Sequence, residues 1–184
     1  MSDNSVTVVD IEVSKRDAKA AAARVVEFLV DRGIVQKQLT KCILAQDKKG
    51  HAPGPNYAKA SGKVYPQIVE LAVNGLEVCI GREVFTAFEN GLAVKCPKCK
   101  HETADPDDAF MDAAGQWHLG DDDVQYACPK CGKSQKLVLW DGPFPWGFGN
   151  VGFTFWNWPD LKPAFVREVA KVLGHDVRVV RAHL

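Results

Sequence analysis

No apolar stretch in this chain approaches the roughly 20 residues that a membrane-spanning helix requires, so no membrane association is expected. An excess of one charge is missing as well. The 23 Lys and Arg residues stand against 23 Asp and Glu, which removes the whole-molecule argument for binding nucleic acid. The start, Met1-Ser2-Asp3-Asn4, has neither the basic nor the apolar region of a signal peptide. The expected location is the cytoplasm.

Catalytic signatures are equally scarce. A phosphate loop ending in Gly132-Lys133-Ser134 would need glycine where Ala127 stands, and Gly62-Lys63 is followed by Val64 instead of a hydroxyl residue. There is no G-x-S-x-G elbow and no H-E-x-x-H, since Asp105 stands at the second histidine position after His101-Glu102. A zinc deaminase would show H-x-E upstream and proline before its cysteine pair, but Lys95 and Ala127 occupy those places. Enzyme activity is therefore not indicated.

What is present suits a globular protein: 184 residues, 46% hydrophobic and 25% charged, enough for one domain with a real core. Val6–Val13 reads as a first strand. Ser14 and Asp17 suggest an approximate capping box. Ala18, Ala21, Ala22, Val25, Val26, Leu29 and Val30 then recur at helical spacing up to Gly33. Lys41–Ala45 reads as a buried strand, and His51–Gly62 as a loop. Asn74-Gly75 suits a hairpin turn between Val69–Val73 and Leu76–Ile80. Short strands are expected at Leu92–Lys95 and Leu137–Trp140. Asp160 is the expected cap of a last helix through Phe165, Val169 and Leu173, with Pro163 in its first turn, Gly174 at its end and a strand at Val177–Val180. The expected fold class is α+β. It comprises a mixed or antiparallel sheet with an N-terminal and a C-terminal helix in a single domain, 1–184, and an inserted zinc-ribbon-like subdomain at 93–140.

The insert is expected because Cys96-Pro97-Lys98-Cys99 and Cys128-Pro129-Lys130-Cys131 are two copies of one tetrapeptide. A C-x-x-C turn places two sulfurs on one side of a tight bend, and two such turns supply four thiolates to a tetrahedral zinc ion. Cys96, Cys99, Cys128 and Cys131 are thus the expected ligands of a structural zinc. A pair of redox C-x-x-C motifs is the rival reading. His101 and His118 could substitute as ligands, but four cysteines already close the shell and the two read as ordinary surface histidines, while Cys42 and Cys79 sit in apolar segments and read as inert buried thiols.

Between the knuckles lie eight acids (Glu102, Asp105, Asp107, Asp108, Asp112, Asp121, Asp122 and Asp123), opposed from Lys100 to Ala127 by Lys100 alone. Such a surface repels a phosphate backbone. It is either a solvated loop or a docking surface for a basic protein, with Phe110, Met111 and Trp117 either as apolar anchors or packed back onto the domain. In the second reading Asp107, Asp108, Asp112, Trp117, Asp121, Asp122 and Asp123 meet the partner. Residues 144–158 hold seven aromatics and no cation. They read chiefly as core, with Trp146, Trp156 and Trp158 as the alternative platform for a sugar or other small molecule.

Together with the two CPxC knuckles, Gly152-Phe153-Thr154-Phe155-Trp156-Asn157-Trp158-Pro159 resembles a segment of an uncharacterised family of stand-alone bacterial proteins. They share an early strand–helix, an Asn-Gly-Leu-Glu segment like Asn74–Glu77 and a valine-rich end like Val177–Leu184. The resemblance covers most of the chain and brings no catalytic residues. Its members are sometimes labelled sugar-transporter ATPases, a label the missing phosphate loop does not support here. The expectation is a non-enzymatic, zinc-stabilised protein-binding protein, such as an immunity protein that neutralises a basic bacterial toxin. A small-molecule or sugar binder is the alternative, and a zinc-ribbon nucleic-acid binder the weaker one.

Overall fold

The computed structural model describes residues 3–62 and 64–184. The Met1-Ser2 start and Lys63 of the Gly62-Lys63 pair lie outside the described residues. In chain order the first half forms β1 (Asn4–Asp10), α1 (Ala18–Asp31), β2 (Val35–Thr40), β3 (Gly50–Pro53) and β4 (Leu76–Phe85). The cysteine region forms β5 (Val94–Lys95), β6 (Glu102–Thr103), α2 (Asp108–Leu119), β7 (Gln125–Ala127) and β8 (Ser134–Lys136). The chain closes with β9 (Gly147–Trp156), α3 (Pro163–Leu173) and β10 (Val177–His183). No helix among the described residues is long and apolar enough to cross a membrane.

The fold is α+β. A six-stranded sheet in the order β10-β1-β9-β4-β3-β2 is antiparallel at every pairing. Alternation along β1 and β9 sends Val8, Val151, Phe153 and Phe155 into one core with Leu29 of α1 and Phe165, Val169 and Leu173 of α3. The intervening Thr7 and Thr154 face the other way, with their hydroxyls 2.9 Å apart. Strands β4 and β9 are direct partners, and the entire cysteine region is strung between them.

Helix α1 begins one turn after Ser14, whose hydroxyl accepts from the Asp17 N–H (3.2 Å) and donates to the Asp17 carboxylate (2.7 Å). Gly33, in the left-handed region, ends it, with Gly33 N–H to Val30 and Ile34 N–H to Leu29 forming a Schellman closure.

Several expected elements move. The first strand stops at Asp10, because the Asp10 carboxylate accepts from the Glu12 and Val13 N–H groups (3.0 and 2.9 Å) and turns the chain. Lys41–Ala45 is no strand; the strand lies upstream in the polar β2, an edge position that needs no apolar alternation. Cys42 and Ile43 are still buried, in a small cluster with Trp156. Val69–Val73 is not the arm of a hairpin, since Pro66–Glu70 coils as a 3₁₀ turn. Asn74 and Gly75 instead donate their N–H groups to the Cys42 carbonyl (2.9 and 2.7 Å). Any side chain at Gly75 would meet the Cys42 sulfur at 2.2 Å, so close approach demands this glycine. Part of the expected 51–62 loop is β3. Leu137–Leu139 is a 3₁₀ turn instead of a strand. Lys162, not Asp160, occupies the N-cap position of α3, with no side-chain cap bond, and Asp160 pairs with Arg181 at 2.7 Å.

Candidate metal centre

Each CPxC tetrapeptide sits at the tip of a short hairpin, the first on β5–β6 and the second on β7–β8. The two tips have matching hydrogen bonds. Cys96 N–H donates to the His101 carbonyl (2.8 Å) and Cys128 N–H to the Lys133 carbonyl (3.1 Å). Four residues after each first cysteine the N–H returns to it: Lys100 to Cys96 (3.1 Å) and Gly132 to Cys128 (2.8 Å). Both returning residues have positive φ, 61° and 67°. Gly132 adopts this without steric cost, whereas Lys100 is held there with its ammonium on the Pro97 carbonyl (3.0 Å).

This geometry gathers the four sulfurs of Cys96, Cys99, Cys128 and Cys131 within 4.8 Å of one another. Across the knuckles, Cys99 and Cys128 sulfurs approach to 3.7 Å. Cys96 and Cys128 are buried, Cys131 is half-buried and Cys99 is exposed. The backbone N–H of Cys131, assisted by that of Lys130, lowers the Cys128 thiol to about 7. At Cys99 the His101 N–H pulls the same way. Desolvation and the three neighbouring thiols override it, and Cys99 rises to about 11. One thiolate forms readily, but four together need a cation between them. The cluster could hold a metal ion, and no histidine belongs to it. Of the remaining thiols, Cys42 is buried. Burial, with the Glu77 charge adding, pushes Cys79 up to about 11.

The acidic stretch is partly committed to the fold. Asp107 caps α2 by accepting from the Phe110 N–H (3.0 Å). Asp122 pairs with Arg82 (2.7 Å) and Asp123 with Lys136 (2.6 Å). Asp108 and Asp112 lie exposed on α2, and Asp121 is exposed beyond it. Trp117 is not an anchor awaiting a partner. It is 5% exposed, 5.2 Å from Phe148, and the Arg82 guanidinium stacks 3.8 Å over its ring.

The aromatic platform is also core. Trp146, Trp156 and Trp158 are all buried. Their indole N–H groups donate to the Leu92 carbonyl (3.2 Å), the Glu77 carboxylate (2.9 Å) and the Asn74 carbonyl (2.6 Å) respectively. No ring of the three is left open for stacking on a sugar. Asn157 has a φ of 56°, which breaks the alternation and puts Trp158 beside Phe155, 5.1 Å away.

Arg82 and Arg178 went unnoticed in the sequence. Opposite Asn150, β4 carries two residues, Gly81 and Arg82, between the Ile80–Val151 and Glu83–Gly149 pairs. This bulge aims Arg82 at α2, where it also donates to the Trp117 carbonyl. Arg178 of β10 donates to the Trp140 and Trp146 carbonyls (3.3 and 2.7 Å). A lone glycine inside the Leu76–Phe85 run was the available signal for the first, and nothing local marked the second. In comparisons with known proteins, no family model, curated protein or solved structure matches the chain.

Proposed function

We propose that the four cysteines hold one structural zinc ion, and that the segment they brace is a docking surface for a basic protein, as in an immunity protein that neutralises a toxin. The proximity of the four sulfurs carries the first half. With zinc–sulfur bonds of about 2.3 Å, a tetrahedron has edges of about 3.8 Å, and the Cys99–Cys128 separation is 3.7 Å. Four thiolates close the coordination shell and leave no position for a substrate, so the metal's role is to stabilise.

The second half is supported by the face of α2. Asp108 and Asp112 are one helical turn apart on one side, with Asp105 before the helix and Asp121 after it. None of the four makes an ion pair among the described residues. Unneutralised acids on a rigid element steer a basic partner and set its register. The role is binding without catalysis, in the cytoplasm of a bacterium.

Elemental analysis of the purified protein should give one zinc per chain. Cys128→Ser should lose the metal and lower the melting temperature. A metal-free protein of undiminished stability refutes the zinc centre. For the docking face, tagged protein and an Asp108→Asn/Asp112→Asn variant are compared as bait in host extract. The native bait should retain a basic protein in a salt-sensitive manner, and the variant should lose it. Equal capture by both refutes the acidic face, and salt-sensitive capture of nucleic acid instead favours the ribbon reading.

A further inference from the structure

Two cavities lie along the seam between the six-stranded sheet and the cysteine region. The larger, about 920 Å³, opens between the turn after β1, the end of α2 and the start of β9. The smaller, about 370 Å³, lies against the first knuckle at Lys95, Lys100 and Asp141. Leu139 and Arg178 line both, so the two make one elongated groove. The larger part alone falls within the ~300–1,000 Å³ of small-molecule sites.

One part of this groove is apolar. Ile11, Leu119 and Leu139, exposed by 39%, 88% and 55%, border the larger cavity together with Phe148. Single exposed apolar residues are ordinary, but several around one cavity form a patch with a use.

The other part is cationic. Arg178 donates from Nη1 to two main-chain carbonyls, which leaves its charge whole. Neither it nor Lys15 nor Lys100 has a carboxylate partner among the described residues. Of the nearby acids, Asp122 pairs with Arg82, whereas Glu12, which accepts from the Asp176 N–H at 2.7 Å, keeps its charge, as does Asp141. Lys15, Arg82, Lys95, Lys100 and Arg178 outnumber Glu12, Asp122 and Asp141 along the two cavities, so the lining is net positive in a chain of zero net charge. Arg82 and Asn150 line the larger cavity as well, though Arg82 Nη2 and Asn150 Oδ1 themselves are buried, with no hydrogen-bond partner among the described residues.

From this convergence we infer that the groove binds a small amphiphilic anion, a carboxylate or phosphate head on an alkyl or aryl body. The head lies in the smaller cavity between Arg178 and Lys100, and the body extends over Leu139 toward Leu119 and Phe148. A guanidinium and an ammonium lining one pocket suit either oxyanion. The site is separate from the acidic outer face of α2, and it stands or falls independently of the docking proposal.

The full-length, metal-loaded protein is titrated with octanoate and with phenyl phosphate, and in parallel with their neutral counterparts octanol and phenol. Binding is read by calorimetry and by the fluorescence of Trp117, which lines the larger cavity. At least one anion should bind saturably with one site per chain, its neutral counterpart at least tenfold more weakly. The preferred arm identifies the alkyl carboxylate or the aryl phosphate as the better chemistry. Lys100→Gln and Leu139→Asp, both at accessible side chains, should each weaken binding at least fivefold, with metal content and circular dichroism unchanged. Absence of saturable binding by both anions overturns the proposal. So does equal affinity for the neutral probes, or unchanged affinity in both variants.

Discussion

In the sheet-and-helix body, Val8, Leu29, Phe153 and Val169 meet in a core roofed by two helices and held by six paired strands. In the cysteine region, Phe110, Tyr126, Trp140 and Trp146 meet edge to face at 4.9–6.1 Å, next to the buried sulfurs of Cys96 and Cys128. The body has long strands to share its load, up to ten residues each in β4 and β9. The cysteine region has only two-stranded ladders of two or three residues, which are too short to stand alone. Large rings and a four-thiol cluster do there what strand pairing does in the body. The contrast teaches that the second core depends on its cysteines in a way the first does not. The two are joined at Trp146 and Phe148, which belong to a body strand or border it but pack into the second core.

The sharpest way to break the comparison is to remove a ligand. Structural metal sites carry roughly 10–16 kcal/mol of apparent binding free energy. Under the proposed zinc site, Cys96→Ser should therefore release the metal and make amides from 94 to 141 exchange orders of magnitude faster, with those of β1 and α1 still protected. Hydrogen exchange read by mass spectrometry decides this; equal loss across both regions would merge them into one cooperative unit. The reverse lesion is Phe153→Ala, which should cost about 3–5 kcal/mol in denaturant unfolding of the whole chain and leave metal content intact. A smaller cut is Asp107→Ala, which removes the α2 cap and should cost about 1 kcal/mol, seen as a lowered melting temperature.

The mildest probe is alkali. Burial, with Asp107 adding, raises the Tyr126 phenol from 10.0 to about 12. The unfolded phenol ionises near 10 and the folded one near 12. The contribution is therefore complete below pH 10 and lost as pH rises toward 12. Phenolate absorbance should show one late-titrating tyrosine, and the Asp107→Ala variant should bring it earlier.

The α+β class, the helical spacing of α1 and the gathering of four cysteines were legible because each rests on a local signal: a 3.6-residue period, or a repeated tetrapeptide. The errors fall where the environment overrides local pattern. Val69–Val73 looks like a strand by composition, yet Val69 is 61% exposed and the segment coils. β2 was invisible because an edge strand with solvent on both faces shows no alternation. Inside an acidic run, Trp117 reads equally as a surface anchor or as a ring packed back onto the domain. Helix α2 turns it inward, a direction fixed by Phe110, Ala113 and Ala114 on the same face and unreadable without assigning that helix. The seam groove was out of reach, since it joins residues from the turn after β1, β4, α2, β9 and β10 that no window contains together.

The position of the cysteine region, strung between two paired strands, has a kinetic consequence. Pairing β4 with β9 must close a loop of about 60 residues, whose entropy grows as the logarithm of its length and delays non-local pairing. Once the two knuckles meet around a cation, Lys95 and Asp141 lie side by side, their main chains joined by a hydrogen bond from the Lys95 N–H. The effective loop then shrinks to the few residues flanking them. A segment that contributes nothing to the six-stranded sheet thus bears on how quickly the sheet can form, and under the proposed zinc site metal supply during synthesis would be a determinant of folding yield for the entire chain.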